Sequence, residues 1–201
     1  MRYTEAHKEE TRKKVVKAAA AAVRAKGPDG VGVAEIMKEV GLTHGGFYAH
    51  FPSKEALVAA AIGEAFDQGR RRFGRITGDL KGLEAFAAFL ESYVSMEHRA
   101  YPERGCPVAT IVSDLPRQGA AVRTVFDAGV TGLISRIAAW LPGDDIQERQ
   151  DLAGSLVVEM AGAVSLSRAV SDEAMAERFL AQSRRRIRAR AGVSDDPERT
   201  A

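Results

Sequence analysis

A single cysteine, Cys106, leaves the chain without an internal disulfide framework and fits a reducing compartment. Aromatic residues make up only 6% of it. Stretches that alternate apolar and polar residues are few, so helices are expected rather than sheets. The longest apolar stretch, Leu152 to Leu166, is short for a bilayer and carries Glu159. The N-terminus is charged and polar, unlike a secretory signal. Four histidines, His7, His44, His50 and His98, show no metal-ligand spacing. There is no nucleophile elbow, phosphate-binding glycine loop, dinucleotide fingerprint or internal repeat. No cofactor, no metal and no enzyme activity are therefore expected.

What is present suits a globular protein able to bury a sizeable core: 201 residues, 45% hydrophobic and 28% charged. The net charge of +2 is unevenly spread. Residues 1–54 hold ten Lys/Arg against six Asp/Glu, and the remainder 19 against 21. A basic N-terminal part on a near-neutral body is the footprint of a nucleic-acid partner, although the asymmetry is modest.

The stretch Val33 to Leu57 organises the chain. Val33, Ile36, Met37 and Val40 recur at helical spacing, and Gly41 can end that helix in a left-handed conformation. Thr43 is placed to begin a second short helix, with Phe47 and Phe51 on its buried edge and His44, Gly45, Gly46 and Tyr48 off that edge. Pro52 stops it, and Ser53 caps the next. Two short helices joined by a tight turn read as a helix-turn-helix, whose second helix enters the DNA major groove. Two adjacent glycines weaken so short a helix by ~1 kcal/mol each relative to Ala. Close approach of the backbone to DNA supplies a reason for them. The alternative is a plain loop in a small helical core.

These residues resemble the DNA-binding domain of the TetR family of transcriptional regulators. The resemblance rests on Gly41-Leu42-Thr43, Gly45, Phe47-Tyr48, His50-Phe51, Ser53-Lys54-Glu55 and Leu57, below a helix ending Lys26-Gly27. It spans about Arg12 to Leu57. It implies an all-α fold: an N-terminal three-helix helix-turn-helix domain (1–52) and a six-helix ligand-binding and dimerisation bundle (53–191); the polar run 192–201 reads by its composition as a disordered tail. It implies DNA contacts from Thr43, His44, Gly45, Gly46, Tyr48, His50 and Lys54. Tyr48 and Lys54 resemble the family's phosphate-binding pair. Val33 stands where a phosphate-binding Thr is common, so that contact is absent or moved.

Thr4 to Lys26 is expected to be one helix with an apolar stripe of Val15, Val16, Ala19, Ala22 and Val23. Its basic residues Lys8, Lys13 and Lys17 face either phosphate or water; the sequence leaves this open. Further helices are expected from Ser53 to about Arg72, Leu83 to about Arg99, Cys106 to about Ser113, Gly119 to Leu141, Asp145 to about Val170, and Ser171 to Ala191.

The resemblance further implies a cytoplasmic homodimer, paired through its last two helices, that reads a palindromic operator and represses until a small-molecule inducer binds. Phe89, Tyr93, Met96, Cys106, Phe126 and Met160 are candidates for the inducer pocket, though each suits an ordinary core. Cys106, beside Pro107 and near Arg104, is also a candidate thiol switch, placed as in the oxidant- and electrophile-sensing members. A helical interaction module that does not bind DNA remains the other class.

Overall fold

The computed structural model describes residues 5–194, and among these no strand occurs. Nine α-helices follow in order: α1 Glu5–Lys26, α2 Val33–Glu39, α3 Lys54–Thr77, α4 Gly82–Tyr93, α5 Met96–Ala100, α6 Pro107–Ile111, α7 Ala120–Ala138, α8 Ile146–Ala169 and α9 Glu173–Ala191. Short 3-10 helices lie at His44–Ala49, Pro102–Arg104 and Leu115–Arg117. The fold is the all-α one expected. Thr4 and most of the expected tail, from 195 on, lie outside the described residues.

By packing, the chain divides into two compact units. The first takes the residues up to Gly69 together with Pro102–Gly129; the second takes Arg70–Tyr101 and the chain from Val130. The sequence division at 52/53 follows the motif. The packing division follows the buried side chains, and α3 and α7 contribute residues to both units.

The first unit is built on α1. Val15, Val16, Ala19, Ala20 and Val23 are buried, and opposite them lie Ile36, Met37, Phe47, Phe51, Leu57 and Ile62. Gly27 (φ +77°) ends α1 with its amide on the Val23 carbonyl. Gly41 (φ +76°) ends α2 in the same way, and the Leu42 amide reaches back to the Met37 carbonyl. Both are left-handed turns that a side chain resists. Arg24 is 4% exposed. Its guanidinium donates to the Glu103 carbonyl (2.8 Å), the Ala65 carbonyl (3.4 Å) and Gln68 Oε1 (2.7 Å). These bonds repay part of its desolvation and tie segment 102–104 to α1 and α3.

In the second unit Phe73, Phe89 and Tyr93 stack as a cluster, with Phe73–Phe89 centroids 4.6 Å apart and Phe89–Tyr93 5.5 Å. Trp140 closes on Phe89 at 5.5 Å. Asp145 and Asp172 cap α8 and α9 by accepting from backbone amides. Leu156, Met160, Leu180 and Ile187 are buried between α8, α9 and their neighbours.

Two expectations need correction. The helix expected from Leu83 to Arg99 breaks at Val94, because Ser95 caps a new helix by accepting from the His98 amide at 3.1 Å. The helix from Ser53 runs on to Thr77, so the cluster Arg70–Arg72 is not at its end. By length and composition alone α8, 24 residues with a mean hydropathy of 1.2 in its best window, would also pass as a membrane span. In this fold it is a core helix: Ala153, Leu156, Val157, Met160 and Val164 are buried against its neighbours.

Candidate nucleic-acid interface

The element that follows the turn at Gly41 is a 3-10 helix, not the α-helix expected. The amides of His50 and Phe51 both reach the Phe47 carbonyl, at 2.9 and 3.0 Å, so the turn tightens at its end. Phe47 and Phe51 stack at 5.7 Å and are 2% and 1% exposed, which fixes the element on the core. Arg12 covers the Phe51 ring at 4.9 Å.

Anchored by those two rings, the element turns its other residues outward. Thr43, His44, Gly45 and Tyr48 are exposed, with Tyr48 at 69%, and Gly46 and His50 are half-buried. Lys54, the first residue of α3, is exposed beside them. Thr43 precedes the 3-10 helix in extended conformation but its hydroxyl caps nothing. Ser53 does cap, accepting from the Ala56 amide at 3.1 Å.

Nothing in the fold demands the paired glycines. Neither has positive φ. A Cβ on Gly45 would meet no atom within 4 Å, and one on Gly46 would make only ordinary contact with Met37 and Thr43. The space they leave is on the outer face.

A cavity of about 430 Å³ lies between the start of α1 and this element, lined by Lys8, Leu42, Thr43, Gly46, Ala49 and His50. Burial, followed by the positive charges of Lys8 and Arg12, lowers the proton affinity of His50. Its Nδ1 is buried without a hydrogen-bond partner.

Two residues escaped the sequence reading. The Asp29 carbonyl accepts from Lys54 Nζ at 3.0 Å, and Asp29 Oδ1 accepts from Gln118 Nε2 at 3.0 Å.

The candidate pocket residues fall into separate units. Phe89 and Tyr93 share the cluster on α4, Met160 is fully buried on α8, and Met96 begins α5, all in the second unit. Cys106 and Phe126 belong to the first. Phe126 packs on Phe66 at 5.7 Å. Cys106 is 6% exposed at the N-cap of α6.

The model for bacterial regulatory proteins of the tetR family matches residues 15–61, the stretch that contains this interface. Residues 15–61 thus match the DNA-binding region of TetR-family transcriptional regulators. Solved structures of TetR-family regulators share the fold over most of the chain. A TetR transcriptional regulator from Chloroflexus aurantiacus has 27% identity and a TM-score of 0.73, over 90% of this chain and 95% of its own. A TetR-family regulator from Cytophaga hutchinsonii, 19% identical, shares the fold with a TM-score of 0.74 over 94% and 97%. One from Legionella pneumophila, 20% identical, does so at 0.74 over 88% and 94%. No curated protein matches the chain. The family match and the fold together support a DNA-binding regulator built on a helix-turn-helix.

Proposed function

We propose that the protein is a cytoplasmic, non-enzymatic repressor that binds a palindromic operator as a homodimer and leaves it when a small molecule binds the C-terminal bundle. The observation that carries this reading is the outward set on one anchored element: Thr43, His44, Tyr48 and Lys54 around open glycines. With no side chain at Gly45 and Gly46, base readout rests on His44, Thr43 and groove shape, while Tyr48 and Lys54 hold phosphates. A two-fold dimer places two such elements about one helical turn apart.

An apolar stripe on α8 supports the dimer. Val158 is 74% exposed, Leu166 is 51% exposed, and Gly162, between them at helical spacing, has open space at its Cβ position. This stripe differs from Leu156, Met160 and Ala163, which the subunit buries itself. For the inducer, the aromatic cluster of Phe89 and Tyr93, with Met96 and Met160, is the apolar lining best placed within one unit. Inducer binding shifts the population of two states by its differential affinity. A change in α3 then alters the spacing of the recognition elements.

Sedimentation with and without operator DNA tests the assembly. Two chains per duplex are expected, and Val158→Glu with Leu166→Glu is expected to give monomers that bind DNA weakly. Monomers in the wild type at binding concentrations would contradict the reading.

A second reading starts from Cys106, buried at the N-cap of α6, whose charged form would favour the cation of the buried Arg24. Modification of the thiol would disturb the guanidinium that ties α1, α3 and residue 103. If Cys106→Ala leaves DNA release by electrophiles unchanged, this reading fails.

A further inference from the structure

A cavity of about 280 Å³ in the first unit brings Lys54 together with two carboxylates, those of Asp29 and Glu55, and with Gln118 and Gly119 of the segment before α7. Neither carboxylate pairs with the ammonium. Lys54 donates to the neutral Asp29 carbonyl and has no ion-pair partner among the described residues. Both carboxylates are instead held by that one segment. Asp29 Oδ1 accepts from Gln118 Nε2 at 3.0 Å. The Glu55 carboxylate lies against Gly119, where a Cβ would run into it. Gly119 does not have positive φ, so the backbone conformation does not call for a glycine. What the missing side chain provides is the space beside the carboxylate. The place also suits a negative charge. Gly119 immediately precedes α7, whose first turn carries no acidic residue of its own, and a helix N-terminus favours an anion.

A carboxylate beside an ammonium competes with phosphate for the same donors. We propose that Gln118 and Gly119 are positioning residues for DNA binding: they hold the two acidic neighbours of Lys54 away from its ammonium and so leave it open to a phosphate. The proposal rests on the reading of Lys54 as a phosphate contact. It adds that the charge available at the helix-turn-helix is set by a segment far along the chain, which that motif does not contain.

The experiment measures binding of the full chain to a random-sequence duplex against salt concentration. The proteins are wild type, Lys54→Ala, Gly119→Ala, Glu55→Gln and Gly119→Ala/Glu55→Gln. The methyl added by Gly119→Ala displaces only the tip of a flexible side chain, so the fold is expected to hold, with the melting temperature as its check. The displaced carboxylate turns to Lys54, and the salt slope is expected to fall by about 1 per subunit, as in Lys54→Ala. Glu55→Gln keeps the shape and removes the charge. It is expected to restore the slope in the Gly119→Ala background and to change it little in the wild type. A wild-type slope in Gly119→Ala, or a double variant that stays weak, overturns the proposal. So does an equal effect of Glu55→Gln in both backgrounds. If Gly119→Ala does not fold, Gln118→Ala with and without Asp29→Asn decides: the asparagine restores binding if the proposal holds and fails to if it does not. A lowered slope in Lys54→Ala with none in Gly119→Ala overturns this proposal alone. An unchanged slope in Lys54→Ala overturns the phosphate reading of Lys54, and the proposal with it.

Discussion

Lys54 Nζ lies 3.0 Å from the carbonyl oxygen of Asp29 and donates to it. The ammonium has three donors, so this bond places it and leaves two for a phosphate. Asp29 is itself held through its side chain by Gln118. The lysine that resembles the family's phosphate ligand is therefore positioned by the turn after α1, and that turn is held by the segment before α7. All three residues lie in one compact unit.

Lys54→Ala is expected to weaken operator and random DNA alike and to lower the salt slope by about 1 per subunit. Gln118→Ala should weaken binding less, because it loosens the turn without removing the charge. It should lower stability by no more than about 1 kcal/mol, the scale of one exposed hydrogen bond. Salt-dependent binding curves and denaturant midpoints check the pair.

Gly45→Ala separates stability from function. No atom opposes the new methyl and the backbone is not left-handed, so stability is expected to rise by about 0.4–1 kcal/mol. Operator affinity is expected to fall roughly tenfold, the scale of one lost specific contact. A urea midpoint and a DNA titration on the same sample test both halves.

Gly129→Ala addresses the core of the same unit. A Cβ there would run into the ring of Phe66, which packs on Phe126. Overpacking is expected to lower stability by about 1–3 kcal/mol, read from the denaturant midpoint.

His98 gives the second unit a pH window. Burial, with the positive charges of Arg168 and Arg72, lowers its pKa to about 4 despite the bond to the Tyr93 carbonyl. The unfolded ring titrates near 6.5. Between those values the unfolded chain binds the extra proton, so stability is full above 6.5 and falls toward pH 4. The loss is about 3 kcal/mol, on the order of 1.36 kcal/mol per pH unit. Unfolding curves for wild type and His98→Asn at pH 7.5, 5.5 and 4 check this. The variant should lack that part of the pH dependence.

The sequence revealed those parts of the fold that depend on local chemistry. Gly27 and Gly41 stop helices, Ser53 and Asp145 start them, and Phe47 and Phe51 mark a buried edge. These signals act within a few residues, where spacing alone determines the contact. The 3-10 geometry of 44–49 was not legible, because Phe47 and Phe51 at four-residue spacing suit an α-helix equally well. Nor was the break at Val94, since apolar residues continue on both sides of it. The Asp29–Lys54–Gln118 link joins residues far apart in the chain, and no periodicity reports it. On α8 the apolar residues occupy several faces, and only the fold separates those the subunit buries from Val158 and Leu166, which it leaves exposed.

The most direct test of the account is selection by the pure protein from a pool of random duplexes at fixed salt. The account expects an enriched palindrome, with half-sites about one helical turn apart, and loss of that enrichment in Tyr48→Phe/Lys54→Ala. Salt-sensitive binding with no enriched sequence, or enrichment unaffected by the double substitution, would contradict it.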